Sequence, residues 1–218
     1  MAIESYHPSR IVTIWKNHRK SRKIILFFVL SVAFSLFVAY LLSLFFEFIE
    51  ARPGVLLNDP LFNIISPIDL STPIFIVLYL MLFISIYRLC FEPIKFILGL
   101  NGYTLIILIR IITLYVTPLD HSPNMIELKD PFLWFFYPGH MITKDLFFSG
   151  HTATGFFLYL LLPPGRLKKI FLIATLFVAS ALIIQQVHYS VDVFAGFAFS
   201  YLSYSIITVI ERKFLSKK

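Results

Sequence analysis

Three ionisable residues stand out in a strongly apolar chain: His151 in Phe147-Phe148-Ser149-Gly150-His151-Thr152, and His188 and Asp192 in His188-Tyr189-Ser190-Val191-Asp192-Val193. Two imidazoles and a carboxylate suit phosphoryl chemistry. One imidazole attacks phosphorus as a nucleophile, the other protonates the departing oxygen, and the carboxylate orients and charge-stabilises the attacker. The four-residue spacing of His188 and Asp192 predicts one shared helical face, with the carboxylate accepting a hydrogen bond from one ring nitrogen and the other nitrogen left basic. On this reading His188 is the nucleophile, Asp192 its orienter, and His151 the acid that later activates an acceptor hydroxyl.

Arg110 is the fourth candidate, as a phosphate ligand. It falls six residues before the outer end of an apolar run, about 9 Å down at helical rise. The alternative is an arginine that snorkels to the interface. Asp145 and His140, just outside the run that carries His151, are substrate-binding candidates or ordinary interfacial loop residues. The bland account of His151, His188 and Asp192 is a polar cluster joining spans by interhelical hydrogen bonds. A metal site is a further reading, because His and Asp one turn apart can share an ion, but no dense ligand set accompanies them. Neither metal nor cofactor is expected.

The elements that must position these groups follow from composition. Of 218 residues, 58% are hydrophobic and 14% charged, more apolar surface than a soluble domain of this length can hide. Six runs approach the roughly 20 residues that a hydrocarbon layer about 30 Å thick requires: 24–46, 73–89, 94–116, 147–162, 170–187 and 191–210. The expectation is an all-α, six-span transmembrane bundle forming a single integral membrane domain over 1–218. The first run follows a basic stretch and is full length, so it reads as an uncleaved signal anchor, with no mature N-terminus expected beyond Met1.

Lysines and arginines divide unevenly between the two sides, 15 against 3 (Arg52, Lys129 and Lys144) with Arg110 inside a run. Basic residues near span ends are retained in the cytoplasm. Both termini are therefore expected there, with 52–71, 117–145 and the ionisable cluster on the extracytoplasmic or luminal side. The net charge of +7 thus reflects topology, and nucleic acid is not an expected partner. Cys90 stands alone, so no intramolecular disulfide is possible and membrane packing is its expected role. The aromatic stretch 132–137 is expected to lie along the interface and wall the site. A charge inside a span costs a few kcal/mol, which makes His151, His188, Asp192 and Arg110 functional candidates. The runs carrying His151 and His188 both begin outside, so the two histidines share a membrane level.

These motifs resemble the sphingomyelin synthase family, within the wider type 2 phosphatidic acid phosphatase superfamily. Asp145-Leu146-Phe147-Phe148-Ser149-Gly150-His151-Thr152 is similar to the family's Ser-Gly-His-Thr motif with its preceding aspartate. His188-Tyr189-Ser190-Val191-Asp192-Val193 is similar to its second catalytic motif, and Arg110-Ile111-Ile112-Thr113-Leu114-Tyr115-Val116-Thr117 to its arginine-containing third span. The resemblance implies a six-span fold and transfer of a phosphorylated head group from a phospholipid donor to a lipid acceptor, ceramide or diacylglycerol, through a phosphohistidine step without metal. It adds Ser149, Gly150 and Tyr189 to the substrate-binding candidates. Two departures matter: Leu182 stands where the wider superfamily has an arginine six residues before the second histidine, which argues against an ordinary phosphomonoester phosphatase, and Thr143-Lys144 stands where the animal synthases have cysteine-glycine, which argues against close identity with them. Fewer fixed cations suit a phosphodiester better than a dianionic phosphomonoester. The rival readings are a hydrolase that uses water as acceptor and a non-catalytic lipid-binding membrane protein. Head group, acceptor, oligomeric state and host membrane are open.

Overall fold

The computed structural model describes residues 8–18, 22–130 and 142–215, so the expected interfacial stretch 132–137 and His140 lie outside the described residues. Seven α-helices and one 3₁₀ turn, Pro60–Asn63, are formed among them, with no strand beyond an isolated bridge between Val55 and Leu119. In chain order the helices are α1 (Pro8–His18), α2 (Arg22–Ala51), α3 (Ser71–Leu89), α4 (Pro93–Val116), α5 (Gly150–Leu161), α6 (Arg166–Ile184) and α7 (Ser190–Leu215). Five of them, α2, α3, α4, α6 and α7, are long and apolar enough to cross a membrane.

The ends of these helices are written in local chemistry. Pro93 opens α4 at a position whose N–H would have no partner anyway, so α3 turns back into α4 within three residues. The start of α3 is held by Asp69, whose carboxylate accepts from the Ser71 N–H at 3.0 Å and the Ser71 hydroxyl at 2.7 Å. Those bonds, the backbone one foremost, hold the Asp69 carboxyl below the ordinary carboxylate range. Pro163-Pro164 ends α5, and Lys168 donates to the otherwise orphaned carbonyl of Leu162 at 2.9 Å.

The expected fourth run, 147–162, is the element that differs most from expectation. Its helix starts only at Gly150 and has 12 residues, about 18 Å at helical rise. That is well short of a full crossing. Ser149 terminates it on the N-terminal side by accepting from the Thr152 N–H at 3.3 Å. A short helix is tolerable here because α5 is wrapped by α3, α4, α6 and α7 and does not need to meet lipid along its own length.

Close packing around α5 depends on small residues and on hydroxyls that donate across helices. A Cβ at Gly102 of α4 would stand 2.6 Å from the Phe157 ring of α5, so only glycine allows this approach. Ser200 and Ser203 of α7 donate to the carbonyls of Ala153 on α5 and Gly102 on α4, at 2.6 and 2.7 Å. On the other side of α4, Ser35 and Thr104 share a hydrogen bond of 2.7 Å and Asn101 donates to Ser31 at 2.8 Å, fastening α2 to α4. The remainder of α2 displays Val29, Leu30, Phe34, Leu36, Phe37, Tyr40 and Leu44 to its surroundings. An apolar face of that extent has lipid as its solvent.

Helix α1 was not anticipated by the apolar runs, since it is amphipathic and short. It is secured by Trp15, whose indole donates to the Cys90 carbonyl at 2.7 Å and meets Phe28 and Phe96 edge-on. At the opposite end of the bundle the connection 52–70 meets the described parts of the next one, 117–130 and 142–149. Val55 donates to Pro118 O at 2.9 Å, and a Cβ at Gly54 would lie 2.4 Å from the backbone of Leu119.

Candidate active site

The end of the bundle where these connections meet is also where α5 and α7 begin. Both helix starts are built from polar residues that the helical backbone requires. Ser149 caps α5, and its own N–H donates to the Asp192 carbonyl at 3.0 Å, tying the first turn of α5 to that of α7. Asp192, the third residue of α7, accepts from the Tyr189 N–H at 3.0 Å, the return arm of a capping box. Its negative charge also suits the positive end of the helix dipole. Gly196 permits the approach: a Cβ there would stand 2.9 Å from Ser149 O and 3.2 Å from the Thr152 Cβ.

These two helix starts bring His151 and His188 together. Their ring centroids are 6.1 Å apart, tilted by 58°. Phe75 of α3 closes the far side of His151, edge-on at 5.7 Å. His188 Nδ1 lies 3.7 Å from Asp192 Oδ2, and both residues are buried. Among the described residues, His151 Nδ1, His188 Nδ1, Asp192 Oδ1 and Thr152 Oγ1 are buried without a hydrogen-bond partner. A buried unpaired polar atom costs about 1–3 kcal/mol, and these four lie together around the starts of α5 and α7.

The His188–Asp192 pair differs from the expectation drawn from four-residue spacing. His188 precedes α7 instead of lying in it, so helical geometry does not bring the two side chains into line. Asp192 Oδ2 is also engaged by the Tyr189 N–H. The result is an ion-pair distance and not a hydrogen bond. Catalytic hydrogen bonds of this type are often long before substrate binds.

Arg110 does not snorkel. Only 8% exposed, it turns inward from α4, donating from Nε to the Phe148 carbonyl at 3.1 Å and from Nη2 to Asp145. Asp145 thus acts as its counterion in a partly buried setting. Gly150 makes room for the guanidinium: a Cβ there would sit 2.4 Å from Nη1. The guanidinium lies across the start of α5, one residue from His151. Tyr189 is 2% exposed, donates its hydroxyl to the Asp120 carbonyl at 2.8 Å and stacks on Phe62 at 5.4 Å, so its visible partners are those of a brace between α7 and the connections.

A second layer was passed over in reading the sequence. Gln185 donates to Ser71 Oγ, at 2.9 Å, and to the carbonyls of Ile126 and Glu127, while its own oxygen accepts from the Leu70 N–H. Gln186, at φ +56°, accepts from Ser122 and donates to Ile65 O. Glu50, at the end of α2, accepts from the N–H and hydroxyl of Thr143 and from the Lys144 N–H, anchoring the residues just before Asp145. Asp59 accepts from the N–H and hydroxyl of Ser190 at 2.6 and 3.1 Å. The one available signal was the pair of adjacent glutamines at the end of an apolar run, two residues before His188. Among the described residues no group of three or more His, Cys, Asp or Glu side chains could hold a metal ion.

Residues 144–209 match the family model described as PAP2 superfamily C-terminal. The match spans Asp145, Ser149, Gly150, His151, His188, Tyr189 and Asp192, and leaves Arg110 outside it. It supports a relation to the type 2 phosphatidic acid phosphatase superfamily over that segment, and with the five apolar helices it suggests an integral membrane protein acting on phosphorylated lipids. The match does not extend to the sphingomyelin synthase family within it. No curated protein matches the chain.

Proposed function

We propose that the protein is a membrane enzyme that transfers a phosphorylated head group from a phospholipid donor to a lipid alcohol, ceramide or diacylglycerol, through a phosphohistidine on His188. The observation that carries this reading is the meeting of His151 and His188 at 6.1 Å beside Asp192, all at the starts of two braced helices. Asp192 faces Nδ1 of His188, which leaves Nε2 to attack phosphorus. The P–O bond to the donor's glycerol oxygen breaks as the N–P bond forms, and His151 protonates that oxygen. In the second half, His151 removes the proton from the acceptor hydroxyl as its oxygen displaces His188. Arg110, fixed by Asp145 and the Phe148 carbonyl, supplies a positive charge at the phosphate's edge. Ser149 and Gly150 shape that edge.

In the same reading the chain is a single membrane unit of six spans, with α5 as the short fourth. Both termini are cytoplasmic and the site lies on the extracytoplasmic or luminal side. The 15-to-3 distribution of basic residues supports this orientation.

The test is mass spectrometry of lipids after incubating the purified protein with phosphatidylcholine and phosphatidylethanolamine plus ceramide or diacylglycerol, against His188→Ala. A new phospholipid that requires both acceptor and His188 is expected. Soluble phosphate or phosphoalcohol without a new lipid would overturn transfer in favour of hydrolysis. That second reading is favoured by the match of residues 144–209 to a phosphatase superfamily, because a phosphatase uses water as its acceptor. No turnover of either kind would leave a lipid-binding role.

A further inference from the structure

We infer that Asp59 is a positioning residue for His188. The reading rests on the proposed chemistry for its kinetic consequence and on geometry alone for its structural one. Asp59 lies in the proline-rich connection between α2 and α3, 129 positions before His188, and is 7% exposed. Its two oxygens satisfy three donors. Oδ1 accepts from the Leu61 N–H at 3.0 Å and the Ser190 hydroxyl at 3.1 Å, and Oδ2 accepts from the Ser190 N–H at 2.6 Å. A nearly buried carboxylate is costly to keep unless its oxygens are paired and a positive potential faces it. The first turn of α7 meets both needs, with an N–H lacking an intrahelical partner and the positive end of the dipole.

The arrangement gives His188 a frame it cannot make for itself. Two consecutive N–H groups after it are each held by a carboxylate, Tyr189 by Asp192 and Ser190 by Asp59. Asp192 comes from within α7, so it fixes only the local turn. Asp59 comes from the opposite connection, and it ties that turn to the rest of the bundle's end. Phe62, one turn further along the same connection, stacks on Tyr189 and repeats the tie through an apolar contact. An asparagine at position 59 keeps the shape but has one acceptor oxygen for three donors, and its amide would point an N–H at another N–H. The start of α7 would then shift or loosen, and the His188 ring with it. Reacting groups misplaced by about 1 Å lose on the order of 100-fold in rate.

The experiment uses the full chain in lipid nanodiscs, as wild type, Asp59→Asn and Asp59→Glu, with phosphatidylcholine as donor and ceramide and diacylglycerol as acceptors. Asp59→Asn is expected to lower kcat about 10- to 100-fold with KM within about 2-fold, a loss larger than its modest fall in melting temperature accounts for. Asp59→Glu, which restores the charge, should recover part of the loss. The second arm needs no turnover: carbethoxylation of His188, read by mass spectrometry, should accelerate several-fold in Asp59→Asn while that of His121 does not change. A kcat within 2-fold of wild type together with unchanged His188 labelling overturns the inference. A loss of kcat matched by a fall in melting temperature and by faster labelling of both histidines also overturns it, since Asp59 would then serve general stability. If wild type turns over no lipid, the proposed function fails while the labelling arm still decides for or against Asp59.

Discussion

The behaviour of His151 and His188 turns on where their protons can go. His188 is buried and His151 half-buried, and each has a buried Nδ1 that no described group satisfies, a costly state for an imidazole. His151→Ala and His188→Ala are each expected to reduce turnover by at least about 1,000-fold while the protein still inserts and binds lipid, measured by lipid mass spectrometry beside size-exclusion chromatography. Retained activity in either variant would remove that histidine from the mechanism. Gly150 offers a sharper test because it does no chemistry of its own. Gly150→Ala places a methyl group 2.4 Å from the present position of Arg110 Nη1, so the guanidinium must shift from its place across the start of α5. Loss of turnover comparable to that of Arg110→Ala, without loss of fold, is the expected result, and wild-type kinetics would separate Arg110 from catalysis.

The candidate residues were legible as chemistry because ionisable groups in apolar runs are rare. Their relations were less so. Spacing suggested a helical His188–Asp192 hydrogen bond, but the capping demand of the Tyr189 N–H took one carboxylate oxygen, and the helix began two residues too late to include His188. Arg110 could be located in its run but not aimed. Which way it turns depends on Asp145 and on the space left by Gly150, and those reach it only in three dimensions.

At the scale of elements, hydropathy located the long apolar helices, although the expected run 170–187 passes three residues beyond the end of α6 at Ile184. The expected runs 24–46, 73–89 and 94–116 fall wholly inside α2, α3 and α4. It failed for α5, whose flanking Phe147-Phe148 are apolar yet not helical, because Ser149 and the Asp192 carbonyl set the start instead. Nor can hydropathy find α1, where an amphipathic stretch is held by one indole and two rings. The contact of α5 with α7 depends on Gly196, whose added Cβ would overlap Ser149 O. Gly196→Leu is therefore expected to separate the two helix starts and lower both stability, by about 1–3 kcal/mol as overpacking does, and turnover. A melting temperature and kcat equal to wild type would show that the approach is not needed.

Over the whole molecule, the site-bearing end gathers the starts of α3, α5 and α7 and the ends of α2, α4 and α6, and residues 55 and 118–120 of the two connections pair there. The orientation of that end across the membrane is tested at Asn124, an exposed position in the second connection. With Cys90 replaced by Ser, an Asn124→Cys variant is expected to react with a membrane-impermeant maleimide on intact cells. Labelling only after lysis would reverse the topology and put the reaction on the cytoplasmic leaflet.

The bond from the Ser149 N–H to the Asp192 carbonyl also has a meaning in the life of the chain. The first turn of α5 leans on a residue that leaves the ribosome 43 positions later, roughly 2 to 9 s at ordinary synthesis rates. Through that interval the nascent protein carries His151 without its partner histidine or its brace. On the proposed chemistry, the paired site therefore cannot form until the start of α7 has been made.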